Sequence, residues 1–509
     1  MLIKLKSYAL EGLDGYPVDV ETDTQGGIAA FDIVGLPSSS VKEARNRVRS
    51  AIKNSSFDFM PKRVTVNLAP ADTKKDGSLY DFPMAIGFLA STGQIATERL
   101  KDYVMIGELS LDGGIRRVNG VLPLLIGAFQ DGYRKFLIPA ENAKEASYIE
   151  GIEVYPVKTL SDAAAFLGGY LAIEPVRHTV YDKAKTAKRY AFDLKDVKGQ
   201  AAAKRALEIA VAGGHNLLMC GSPGAGKTLL AKCVPGVMPD MSFEEAIETT
   251  KIHSVAGLLD GEEGMVSVRP FRSPHHTATL LSLTGGGNRS TPGEISLAHN
   301  GVLFLDEMPE YAKKTLETLR QPLEDGVISV ARVARSVEYP ARFMLIASMN
   351  PCPCGYLNSR LKDCTCSEQE IRKYRARISG PLMDRIDLYV EVDGVEYREL
   401  RGSREEESSS VVKARVEAAR EIQAKRFADA PMFVNAAMGN AEIKRYCRLD
   451  EASEALLQRS FDAYRLTARG ATRILKVART IADLAGRAEI GVGDLSEAIA
   501  YRTRLTGEL

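Results

Sequence analysis

The chain has 509 residues, 45% of them hydrophobic and 26% charged, the composition of an ordinary folded protein with core enough for two to four domains. A formal net charge of +1 excludes a uniformly basic or acidic molecule, so any surface for a polyanion must be local. No apolar run approaches the roughly 20 residues of a membrane span, Met1-Leu2-Ile3-Lys4-Leu5-Lys6 is no signal peptide, and seven cysteines argue against a disulfide scaffold; a cytoplasmic location is expected.

Residues 1–170 alternate short apolar strands (Val64 to Leu68, Phe136 to Pro139, Val154 to Val157) with helical stretches such as Val41 to Lys53, which predicts a self-contained α/β or α+β domain. Residues 171–195 are polar, with Lys183, Lys185, Lys188 and Arg189, and read as a linker. Residues 196–395 hold the motifs that carry chemistry. A charged, serine-rich loop follows from Arg401 to Ser410, and residues 396–509 are mostly helix-forming, with apolar positions at helical spacing at Ile474, Val477, Ile481 and Leu484.

Gly221-Ser222-Pro223-Gly224-Ala225-Gly226-Lys227-Thr228 follows the apolar stretch Asn216 to Cys220 and opens the helix-prone stretch Leu229 to Lys232. This is the phosphate loop G-x-x-x-x-G-K-[ST] between a buried strand and a helix N-terminus. Glycines let successive N–H groups turn toward phosphate oxygens; Lys227 would reach the β- and γ-phosphates of ATP and the Thr228 hydroxyl would ligate Mg²⁺. Gly301 to Glu307 is an apolar strand ending in two carboxylates, of which Asp306 would hold Mg²⁺ through water and Glu307 would polarise the attacking water. A third strand, Arg342 to Asn350, ends in an amide placed to touch the γ-phosphate or that water, or else to form a turn before Pro351.

Between the second and third strands, Gly326 to Val337 alternates apolar and polar residues as a hairpin does. Its Arg332 and Arg335 would either grip the phosphates of a polyanion or simply face water. Just after Asn350, Cys352-Pro353-Cys354 and Cys364-Thr365-Cys366 supply four soft ligands suited to a structural Zn²⁺, at a spacing tighter than the usual Cys-x-x-Cys; four reduced thiols are the alternative. The helix-like basic cluster Arg372, Lys373, Arg375 and Arg377 suggests a subunit contact. His275 and His276 precede the Asp306-Glu307 strand without a third or fourth metal ligand near them in sequence.

Together these motifs resemble the AAA+ ATPases, and more closely the Mg-chelatase-like YifB/ComM family of bacterial proteins. The stretches that carry the resemblance are Val34 to Pro37, Asn67 to Ala71, Phe271 to Thr277 and Gly380 to Asp387, so it covers nearly the whole chain. It implies an AAA+ P-loop core with a C-terminal helical lid and a ring-forming hexamer that hydrolyses ATP between subunits. Members of the ComM kind are implicated as DNA helicases promoting branch migration in recombination during natural transformation. On the same resemblance, Arg385 matches an arginine finger directed at the neighbouring subunit's ATP, and Arg473 matches a lid arginine that senses the γ-phosphate in cis.

The N-terminal region resembles the proteolytic domain of Lon-type proteases, with departures. Leu79 stands where that family's nucleophilic serine would be and Leu122 where its lysine would be, while Ser78 is one residue off register. An inactive module for ring assembly or DNA contact is the expectation. Two other functions are compatible with the motifs: a magnesium-chelatase-type ATPase that remodels a protein partner, and a scaffold locked by ATP.

Overall fold

The computed structural model describes residues 1–181, 190–287, 290–331, 336–357, 359, 362–394, 406–428 and 434–506. The two kinds of apolar pattern in the sequence become two separate sheets. Strands β1 (Leu2–Glu11) and β2 (Asp14–Gln25) form an antiparallel hairpin in register from Leu2↔Asp23 to Glu11↔Asp14. β3 (Ala30–Val34) and β4 (Arg63–Ala69) extend it on the β2 side, and β5 (Tyr103–Met105), β6 (Lys135–Pro139) and β7 (Glu153–Val157) on the other, giving the order β3-β4-β2-β1-β5-β6-β7. Helix α1 (Ser39–Asn54) turns Val41, Ala44, Val48, Ala51 and Ile52 inward, a stripe at i, i+3, i+4 spacing, and Ser38 caps its N-terminus. Helix α2 (Asp81–Ser91) is buried along its whole length. The mixture of parallel and antiparallel pairs makes this an α+β unit.

The second sheet is parallel throughout. Its strands are β8 (Leu217–Cys220), β9 (Phe271–Arg272), β10 (Val302–Leu305), β11 (Met344–Met349) and β12 (Leu388–Glu391), in the order β9-β10-β11-β8-β12. β8, β10 and β11 are buried at every residue, as continuous apolar runs in a sheet covered on both faces require. The expected hairpin is present as Val327–Ala331 paired with Ser336–Pro340. The molecule is thus a parallel α/β core with a C-terminal helical region, preceded by an α+β unit.

The C-terminal helices do not form a core of their own. Ile474, Val477 and Ile481 of the helix Ala468–Leu484 share one apolar cluster with Leu217 and Val390 of the parallel sheet. The N-terminal unit is likewise fastened to the helix Phe243–Val255: the Gly120 N–H donates to the Ser254 carbonyl at 3.1 Å and Arg117 donates to the Leu259 carbonyl at 2.6 Å.

Candidate nucleotide-binding site

Because β8, β10 and β11 are parallel and in register (Cys220↔Met349, Leu305↔Ala347), their following loops emerge at one edge of the sheet. Gly224 and Gly226 carry φ of +79° and +93° with open space where a Cβ would stand, so the loop curls with its backbone accessible. The helix Lys227–Cys233 starts directly from it. The Lys227 ammonium donates to the carbonyls of Gly221 (2.6 Å) and Ser222 (3.0 Å) and to Asn350 Oδ1 (3.2 Å). Burial pulls it below the ordinary lysine value.

Thr228 Oγ1 donates to Asp306 Oδ2 at 2.8 Å. The hydroxyl and carboxylate expected to serve a divalent cation are therefore adjacent, and both are the hard oxygen donors Mg²⁺ prefers. Ser348 bridges the two acidic residues: its hydroxyl donates to Asp306 Oδ1 and accepts from the Glu307 N–H at 3.1 Å. Glu307 sits in the left-handed region, φ 51° and ψ 48°, with its carboxylate exposed to solvent. His276 Nδ1 lies 3.9 Å from Glu307 Oε2. So Lys227, Thr228, Asp306, Glu307 and Asn350, read separately from sequence, stand together at one edge of the sheet.

One of the site residues was not singled out in the sequence. Ser348 is the one hydroxyl in the run Phe343 to Met349, which was its only signal. His276, read in sequence as lacking further metal ligands near it, has the Glu307 carboxylate as its neighbour.

The two arginines assigned by resemblance lie elsewhere. The Arg385 carbonyl accepts from Asn216 Nδ2 at 2.9 Å, and Asn216 immediately precedes β8, so Arg385 sits at the opposite edge of the sheet from the phosphate loop. Its guanidinium pairs with Glu324, donates to the Pro381 carbonyl (2.7 Å) and is 7% exposed. Arg473 pairs with the buried Asp387, whose carboxylate accepts from the Asn216 N–H at 2.9 Å. Four residues of strand, about 13 Å, separate that end from the loop. The expected cis contact between Arg473 and the γ-phosphate region is therefore not formed: packing directs this lid helix to the amino end of the sheet. The Asp387 carboxyl, although buried, is held well below the usual carboxylate range by Arg473 and His215. Arg332 and Arg335 lie outside the described residues.

The four cysteines converge. Cys352, Cys354, Cys364 and Cys366 place their sulfurs within 4.8 Å of one another. Cys220, Cys233 and Cys447 are buried singly. In the N-terminal unit Ser78 donates to Glu108, Leu79 is half-buried, Leu122 is buried, and the buried Lys75 ammonium is used by the Thr73 carbonyl at 2.8 Å. No lysine is bonded to Ser78 among the described residues.

Three family models match. One described as magnesium chelatase, subunit ChlI, covers residues 193–400; one described as subunit ChlI of Mg-chelatase covers 20–142; and one for the ChlI C-terminal part covers 406–502. The chain is 42% identical over 500 residues to competence protein ComM of Haemophilus influenzae, covering 97% of this chain and 96% of that protein. It is 43% identical over 495 residues to uncharacterized protein YifB of Escherichia coli, covering 96% and 95%. A shorter match, 29% over 147 residues and 27% of this chain, is to Lon protease 2 of Bacillus subtilis, of which it covers 25%.

Proposed function

The chain belongs to the YifB/ComM family of Mg-chelatase-like AAA+ ATPases, and from that premise we propose that it is an ATP-driven motor that acts on single-stranded or branched DNA as a hexameric ring. On this reading it is a helicase that promotes branch migration in recombination, in the cytoplasm, working beside recombination proteins. The observation that carries the ATPase part is the meeting of Lys227, Thr228, Asp306, Glu307 and Asn350 at one sheet edge. The name of the ComM relative supports the link to DNA uptake, and no described helix is long and apolar enough to cross a membrane.

Each residue then has a task. The loop N–H groups and Lys227 bind the phosphates, and Lys227 is already stripped of water and aimed by three oxygens. Thr228 and Asp306 would hold Mg²⁺, which would supply positive charge against the phosphate oxygens. Glu307 takes the proton of the attacking water while Asn350 orients it. Arg385 serves a neighbouring protomer's nucleotide, which requires Glu324 to release it in the ring. Arg473 acts through Asp387 on the same edge, so its proposed role is at the seam between subunits. Residues 1–170 form a catalytically inert module, 171–195 a linker, 196–395 the ATPase core and 396–509 the lid. The four thiolates add Zn²⁺ as a structural ion, and Arg332 and Arg335 remain the proposed grip on DNA.

ATP hydrolysis measured with and without forked, single-stranded and duplex DNA tests this. Turnover stimulated by forked or single-stranded DNA, and lowered at least about 100-fold by Glu307→Gln, is expected; parental turnover in that variant would refute the mechanism. The chelatase descriptions of the matched models favour a second reading, an ATPase remodelling a protein partner. It predicts turnover indifferent to DNA.

A further inference from the structure

The cysteine loop joins β11 to the helix Glu368–Arg375. Its sulfurs are 3.3 Å apart for Cys352 and Cys354 and 3.6 Å apart for Cys352–Cys364 and Cys354–Cys364. A disulfide needs about 2.05 Å, whereas tetrahedral sulfur ligands at about 2.3 Å from a zinc ion stand about 3.8 Å from each other. These separations are too long for disulfides and, with all four sulfurs within 4.8 Å of one another, leave the thiols grouped closely enough to share one ion. The Cys354 N–H donates to Cys366 Sγ at 3.3 Å, the kind of outer hydrogen bond that supports a thiolate ligand. Soft donors of this kind select Zn²⁺ over the Mg²⁺ of the nucleotide site.

The cage also touches the phosphate loop. Asn350, two residues before Cys352, holds the Lys227 ammonium at 3.2 Å. Gly355, one residue after Cys354, is pressed on Pro223: a Cβ there would lie 2.5 Å from Pro223 Cδ, and its φ of +84° already disfavours a side chain. Arg375 Nε donates to the Pro351 carbonyl at 3.4 Å, closing the loop from the helix side.

We propose that Zn²⁺ bound by Cys352, Cys354, Cys364 and Cys366 is a clamp on the phosphate loop, which sets nucleotide affinity by fixing Gly355 against Pro223 and Asn350 against Lys227. This deepens the nucleotide-site reading and rests on it. Metal loss, or oxidation of the thiols by a peroxide, therefore weakens ATP binding without touching any residue that contacts ATP.

The test uses the full-length protein purified without chelator. Metal analysis is expected to give about one zinc per chain, and none in Cys364→Ser. Binding of a fluorescent ATP analogue is then measured in the zinc-loaded protein, after zinc removal, and after ZnCl₂ is returned. Removal is expected to weaken binding about tenfold, the worth of one hydrogen bond to a charged group, and reloading to restore it. Gly355→Ala, outside the ligand set, is expected to keep its zinc and still bind the analogue more weakly. No zinc, or iron in its place, overturns the metal assignment; zinc present with affinity unchanged on removal and in Gly355→Ala overturns the clamp. A zinc-loaded protein with no affinity for the analogue would instead sink the nucleotide reading, which separates the two.

Discussion

Glu307 occupies a left-handed backbone conformation that costs a residue with a Cβ about 1–2 kcal/mol. The fold supports it with N–H bonds to Ser348 Oγ and Asp306 Oδ1, which turns the carboxylate out of the sheet and into the cleft. Ser348→Ala removes the hydroxyl shared by both acidic residues; kcat is expected to fall about tenfold while ATP binding is kept. Steady-state kinetics beside equilibrium binding checks this, and unchanged kcat would show that the hydroxyl is dispensable. Lys227, Asp306, Glu307 and Asn350 were legible in sequence because each closes a strand-and-turn pattern with its own chemistry. Ser348 was not, since one polar residue in a strand carries no period, and its contacts with both acidic residues exist only after the strands meet.

At the scale of elements, charged networks fix where the C-terminal helices dock. Asp483 accepts from Arg426 (2.7 and 2.5 Å), from Arg479 (3.1 Å) and from Asn435 (2.8 Å), all in a buried setting. Asp483→Ala strands two guanidinium groups and is expected to cost about 3–5 kcal/mol, read as a lowered denaturation midpoint. Glu248, on the helix Phe243–Val255, lies 2.9 Å from His299 Nε2 and from Arg342 Nη2. The His299 hydrogen bond is the main cause that holds its carboxyl down at about 2. A carboxyl lowered on folding adds stability that is complete above its unfolded value near 4.3 and fades as pH falls through the folded one. The melting-temperature gap between the parent and Glu248→Gln should thus be steady above pH 5 and close between pH 5 and 2; a gap that widens on acidification contradicts this. The helical spacing of Ile474, Val477 and Ile481 announced an amphipathic helix, but spacing cannot say which end of a sheet that helix meets. Arg473 was assigned to the γ-phosphate by family resemblance alone, and its partner in the fold is Asp387.

On the scale of the whole molecule, the N-terminal unit is bolted to the core through Glu145. Its carboxylate accepts from the Ser254 hydroxyl, from the Leu122 N–H (2.9 Å) and from Asn142 Nδ2 (3.2 Å), one of these partners lying across the junction. Burial pushes this carboxyl up from its ordinary value. Glu145→Ala leaves those donors unpaired at a cost of about 1–3 kcal/mol each at most, and is expected to loosen the junction, seen as faster hydrogen exchange in residues 117–145 and 243–255 together. Strands β4, β6, β7, β8, β10 and β11 were legible from their apolar runs, and the four cysteines from their clustering in one loop; the long hairpin β1–β2 was not. The seam between the units was not, because Arg117, Gly120 and Glu145 belong to no sequence motif and gain meaning only against Ser254 and Leu259. The measurement that bears most directly on the proposed motor is conversion of a synthetic four-way DNA junction to forked products under ATP and Mg²⁺. Conversion by the parent protein, abolished by a non-hydrolysable ATP analogue and by Glu307→Gln, is the predicted result; junctions left intact by a protein that hydrolyses ATP, or converted equally by the variant, would contradict it.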